Sequence, residues 1–135
     1  MRMTDALVFS DALKSFLSEV FPAVVASKRP DGSIHMNPIW FEYEDGYIWL
    51  NSARGRKWVE RVQREGTITL LFVDPKDMFR TAEVRGTIVS VTEDGAVEHI
   101  HHVSHRYLGK DYPWMGDDVR VKVQVQPTKV HTSFD

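Results

Sequence analysis

The 135-residue chain contains no cysteine. That excludes disulfides, thiolate metal sites and a cysteine nucleophile, since each needs that sulfur. No apolar run approaches the ~20 residues that a membrane-spanning helix requires. The N-terminus shows no basic segment followed by an apolar stretch, so no secretory leader is expected. Together with the missing cysteines this points to a cytoplasmic protein. Neither sign of charge dominates: 17 Lys and Arg stand against 19 Asp and Glu, a formal net charge of -2. General nucleic-acid binders carry a basic surplus, so nucleic acid is not an expected partner. The phosphate-loop spacing GxxxxGK[ST], the dinucleotide pattern GxGxxG and the metalloprotease pattern HExxH are all missing. No Ser/His/Asp arrangement has a recognisable setting.

What is present reads as a globular protein. Hydrophobic residues make up 42% and charged residues 27% of the chain. The length predicts one domain over residues 1–135, with roughly two thirds of the extended surface buried on folding. Leu13, Phe16, Leu17 and Val20 recur at helical spacing, with Ser10 or Asp11 as cap. A short buried strand over residues 23–27 follows. Pro30-Asp31-Gly32 and Glu44-Asp45-Gly46 are turn signals, and one strand over residues 33–43 is expected between them. Pro38 inside that strand marks an edge, a bulge or a place where the backbone faces a ligand. Residues 47–51 read as a strand, 56–64 as a helix ended by Gly66, and 67–73 as an apolar strand.

A long strand over residues 80–91 holds Gly86, which suggests a bend or bulge. A second long helix is expected over residues 92–108, with Ile100, Val103 and Leu108 on its buried side. Val119, Val121, Val123 and Val125 alternate with polar residues, the pattern of a half-buried strand, which Pro127 is expected to break before a last strand over 128–134. Six or seven strands joined mostly by tight turns make a mainly β, antiparallel protein with flanking helices. Closing the sheet into a small barrel removes its exposed edges.

Asn51-Ser52-Ala53-Arg54-Gly55-Arg56-Lys57 carries the strongest chemical signal. It leaves a strand and enters a helix. A helix N-terminus presents free N–H groups and favours anions, whereas Arg54, Arg56 and Lys57 oppose the helix dipole. A bound phosphate would reconcile these facts; a solvated basic turn is the other reading. Met36-Asn37-Pro38-Ile39-Trp40-Phe41 admits a planar heterocycle along the interrupted strand, or simply a core strand with a bulge. His99, His101, His102 and His105 lie within seven positions, but no carboxylate pattern supports a metal, so they read as surface histidines and no metal is expected.

Taken in order, Pro30-Asp31-Gly32-Ser33-Ile34-His35, Asn37-Pro38-Ile39-Trp40-Phe41, the Asn51 to Lys57 segment, Glu83-Val84-Arg85-Gly86, Arg106-Tyr107-Leu108-Gly109 and Val130-His131 resemble the pyridoxamine 5'-phosphate oxidase-like split β-barrel family. Within it they are most similar to the flavin/deazaflavin oxidoreductases that use coenzyme F420. The resemblance spans about residues 21–131. It implies a homodimeric split barrel with cofactor at the interface, reducing a small electron-poor substrate by hydride transfer. The protein would bind and orient the cofactor and supply no catalytic side chain. By this resemblance Arg56 and Lys57 hold the cofactor phosphate with Asn51 and Ser52 close by, and Asn37, Pro38, Ile39 and Trp40 lie along the ring. Arg54, Arg61 and Arg64 would meet the anionic tail that distinguishes coenzyme F420 from FMN, the alternative cofactor. Arg80, with Met78 and Phe79, or the Arg106-Tyr107 helix end, would reach in from a partner chain. A non-catalytic flavin- or haem-binding protein is the reading from another class.

Overall fold

The computed structural model describes residues 7–134. The first six residues, part of the stretch read for a leader, lie outside the described residues. The elements are α1 (Asp11–Leu17), β1 (Ala23–Lys28), β2 (Ile34–Ile39), β3 (Phe41–Glu44), β4 (Tyr47–Ala53), α2 (Lys57–Glu65), β5 (Thr67–Asp74), β6 (Asp77–Thr92), α3 (Ala96–Leu108) and β7 (Arg120–Thr132). Among the described residues no helix is long and apolar enough to cross a membrane.

The strands form one sheet in the order β2-β1-β5-β6-β7-β4-β3, antiparallel at every pairing. The two outermost strands, β2 and β3, are consecutive in the chain, with Trp40 alone between them. One residue reaches only about 3.5 Å. The sheet therefore curls until its edges almost meet, and the fold is a split β-barrel whose seam lies at Trp40. Tyr107 of α3 clamps this seam. Its hydroxyl donates to the Phe21 carbonyl at 2.6 Å and accepts from the Phe41 amide at 3.2 Å.

Period-two alternation fills the barrel. Val25, Leu70, Phe72, Val84, Leu50, Val121, Val123 and Val125 are completely buried. Each such aliphatic or aromatic side chain contributes about 1.5–3 kcal/mol when removed from water. The β3–β4 hairpin turns on Asp45 and Gly46, both at positive φ (56° and 82°), the pairing that two-residue hairpins prefer. Gly86 lies where β6 slips register against β7. A Cβ there would sit 2.5 Å from Val125 Cγ1 and 2.8 Å from the Gln126 carbonyl oxygen, so close strand approach requires glycine.

α1 is capped by Ser10, whose hydroxyl accepts from the Leu13 amide at 3.1 Å. The Leu17 carbonyl at its end and those of Ser18 and Glu19 just beyond accept from the Arg106 guanidinium of α3. Arg106 thus works within its own chain, favourably placed at a helix C-terminus.

Several boundaries differ from those expected. Val20 is exposed, because α1 ends at Leu17 and leaves it beyond the helix. The strand expected over residues 33–43 is two strands broken at the seam. α3 starts at Ala96 after a turn, and Leu108 at its far end is exposed. Pro127 does not break β7, which runs through to Thr132. The register steps from Gly86↔Pro127 to Arg85↔Lys129, so an irregularity beside Pro127 absorbs its missing donor.

Candidate functional site

A cleft of about 580 Å³ opens beside the seam. Its first wall is the edge strand β2, where His35, Asn37 and Ile39 recur at period two. Pro38 occupies this edge strand, where a missing N–H is tolerated. The Asn37 amide Nδ2 donates to the Pro38 carbonyl at 3.3 Å. A carbonyl can only accept, so the amide is oriented, and its Oδ1 is left buried without a partner. His35 Nδ1 is likewise buried and unpartnered. An unmet buried polar atom costs about 1–3 kcal/mol, which a ligand offering a donor would recover.

The second wall is the end of β4 and the start of α2. Asn51 and Ser52 line it, followed by Arg56, Lys57 and Trp58. Arg56 is the N-cap residue of α2 and makes no side-chain capping bond, so the first-turn amides keep their donors. Lys57 is three-quarters exposed, with only a loose 3.7 Å pair to Glu60. Cations beside an uncapped helix N-terminus make an anion-attracting end.

The third wall carries Arg120, which opens β7 and is 6% exposed. Its Nε and Nη2 donate to Asn51 Oδ1 at 3.0 and 2.7 Å, and its guanidinium lies over the Tyr112 ring at 5.1 Å. Burial pushes its pKa below the ordinary value, against the opposing influence of Tyr112 and Asp118. A guanidinium only donates, so Asn51 must turn its Nδ2 away, towards the Ala96 carbonyl at 2.8 Å and His99 Nδ1 at 3.0 Å. His99 therefore accepts at Nδ1 and carries its proton on Nε2, which donates to Glu42 at 2.9 Å. His102 meets the other Glu42 oxygen at 2.9 Å. Burial raises the Glu42 pKa, and the hydrogen bonds and electrostatic pull of His99 and His102 outweigh it, so the net shift is downward.

Trp40 stacks on Tyr107 at 4.9 Å with an interplanar angle of 7°, and Tyr112 meets it edge-on at 6.1 Å. Much of its ring is thus engaged inside the protein. Trp114, 61% exposed, follows Tyr112 at the mouth.

Eight residues singled out from the sequence line this cleft: Asn37, Pro38, Ile39, Trp40, Asn51, Ser52, Arg56 and Lys57. Two do not. Arg54 turns away to Glu93, at 3.0 Å. Arg80 is held by Glu19 at 2.8 Å and Asp74 at 3.1 Å, with its guanidinium over Phe16, and takes no part in the cleft of its own chain. The reading of the histidines as surface residues holds for His102 and His105, which are exposed, and is corrected for His99 and His101. The His99 side chain is only 9% exposed, and His101 Nδ1 accepts from the Tyr112 amide. Glu42, Glu44 and His102 bring donor atoms within 4.8 Å of one another, although both Glu42 oxygens already have histidine partners. Arg120 was missed because it reads as the polar phase of an alternating strand. Its value comes from Asn51, 69 positions away.

A seven-stranded split barrel with a cationic cleft at its seam defines the class. The pyridoxamine 5'-phosphate oxidase family model matches residues 9–133, and the chain belongs to that family. No curated protein matches it in sequence. Among solved structures it is similar to an F420 reductase at 22% identity, covering 87% of this chain and 94% of that one, with a TM-score of 0.78. A conserved hypothetical protein from Mycobacterium tuberculosis gives 21% identity, 98% and 89% coverage and a TM-score of 0.73. A protein from Listeria innocua described as a candidate pyridoxamine 5'-phosphate oxidase gives 20% identity, 90% and 95% coverage and 0.67. At these identities the likeness is one of fold.

Proposed function

We propose that this protein is a cytoplasmic, homodimeric oxidoreductase that binds coenzyme F420 and reduces a small electron-poor substrate. The observation that carries the reading is the polarity of the cleft. One end presents Arg56, Lys57 and the uncapped start of α2, and β2 presents an unpartnered acceptor, Asn37 Oδ1. A flavin or deazaflavin has a phosphate for the first and a ring N–H for the second, so the donor set fits such a cofactor. When bound, it supplies the hydride chemistry. The chain's own residues then have simple tasks. Arg56 and Lys57 hold the phosphate. Asn51 and Ser52 shape the wall beside it. Pro38, Ile39 and Trp40 form the surface against which the ring rests, and Trp114 shields the mouth from water.

The choice of F420 rests on α2. Lys57, Arg61 and Arg64 are spaced i, i+4, i+7 and share one face of the helix. Arg61 borders a second hollow of about 220 Å³ and points to the Ser27 hydroxyl, and Arg64 donates to the Lys28 carbonyl. This stripe leads away from the phosphate end and suits the anionic tail of F420. FMN lacks that tail, and the family match favours FMN as the second reading.

Parallel titration of the purified protein with F420 and FMN tests both. Arg56→Ala with Lys57→Ala is expected to weaken either cofactor at least about tenfold, near 1.4 kcal/mol, with the fold intact. Arg61→Ala is expected to weaken F420 and leave FMN unchanged. Failure of both cofactors to bind would remove this reading.

A further inference from the structure

Arg56 and Arg120 converge on the same atom. Asp118 Oδ2 lies 3.4 Å from Arg56 Nη2 and 3.9 Å from Arg120 Nη1. Arg56 enters the cleft from the cap of α2, Arg120 from the start of β7, and they are 64 positions apart in sequence. Their two nearest N–H groups define a position for an anionic oxygen, and a carboxylate oxygen stands near it.

The two partners differ in how firmly they are held. Arg120 is buried and oriented, with Nε and Nη2 on Asn51, which is locked in turn by Ala96 and His99. Nη1 faces Asp118 at 3.9 Å. Asp118 is 43% exposed, on the loop between α3 and β7, and both its contacts are long for charge-assisted hydrogen bonds. A rigid cation facing a loosely held surface carboxylate is an arrangement that a better anion can take over.

We propose that Arg120 is a third arm of the cleft's anion site and that Asp118 is its resident counter-anion, displaced when a phosphate enters. Phosphate offers several oxygens and more charge than a carboxylate, so it can satisfy both guanidiniums and the α2 amides together. Asp118 then keeps the buried charge of Arg120 compensated while no ligand is bound, and lowers phosphate affinity by competing with it. The proposal deepens the cofactor reading, yet its central claim concerns inorganic anions and stands apart from it.

The test is calorimetric titration of the full chain with pyrophosphate, FMN and riboflavin, the last lacking phosphate. Asp118→Asn keeps the loop and removes the competing charge. It is expected to tighten pyrophosphate and FMN by about threefold or more, the range of one partly exposed ion pair, with riboflavin unchanged. Glu98→Gln, on the exposed face of α3, removes the same charge away from the cleft and is expected to change none of them. Arg120→Gln is expected to weaken pyrophosphate and FMN more than riboflavin. Equal or weaker anion binding in Asp118→Asn, or the same gain in Glu98→Gln, overturns the proposal. Tighter pyrophosphate in Asp118→Asn, with neither F420 nor FMN bound, supports the anion site and sinks the cofactor reading instead.

Discussion

Glu42 shows how a residue that does not line the cleft can serve it. Its side chain is only 12% exposed, and its two oxygens meet His99 and His102, both at 2.9 Å. Through His99 and Asn51 it holds Arg120 in orientation. Burial raises its pKa and the two histidines lower it more, leaving it below the ordinary 4.5. A carboxyl depressed in the folded state stabilises the fold fully above its unfolded pKa. That contribution is lost as pH falls through the folded value. Urea midpoints are therefore expected to drop for the wild type below about pH 4.5 and to drop less for Glu42→Gln. Parallel curves for the two proteins would show that the carboxyl is not linked to folding. His99 was legible only as one of four clustered histidines, because its meaning depends on the amide that faces it.

At the scale of elements, the seam is the feature to probe. β2 and β3 have no strand partner across it, and Tyr107 bridges the Phe21 carbonyl and the Phe41 amide there. Tyr107→Phe keeps the ring that stacks on Trp40 and removes the hydroxyl. It is expected to cost about 1–3 kcal/mol in chemical denaturation, the price of leaving buried backbone groups unmet. An unchanged midpoint would mean that the covalent link at Trp40 suffices to hold the edges. The turns, Gly86 and α2 were readable in advance, because glycine, proline and helical periodicity act locally. The break at Trp40 was not, since nothing within residues 34–44 distinguishes one long strand from two at opposite ends of a sheet.

For the whole molecule, the exposed apolar residues bear on assembly. Ile34 and Met36 on β2, Leu71 on β5, and Met78 and Phe79 at the start of β6 are all exposed. In register, Pro38, Val24 and Leu71 form one row across β2, β1 and β5. Side chains in such a row share a face, and monomeric proteins seldom leave a wide apolar face open. Light scattering at micromolar concentration is expected to give twice the mass of the 15.6 kDa chain. Met36→Glu with Leu71→Glu is expected to give a monomer that still melts cooperatively. A monomeric wild type would remove the shared-site arrangement.

Local chemistry was written along the chain. Alternating valines, turn dipeptides and the basic entry to α2 made the β-rich class and the cationic end of the cleft readable, because each depends on neighbours within a few positions. Closure of the barrel depends on which strands become its edges, and that follows from pairings such as β4 with β7, between segments about 70 residues apart. The same long-range packing turned Arg54 and Arg80 to carboxylates outside the cleft and brought Arg120 into it. A side chain's charge can be read from its own letter; the atom that compensates that charge is chosen by the fold.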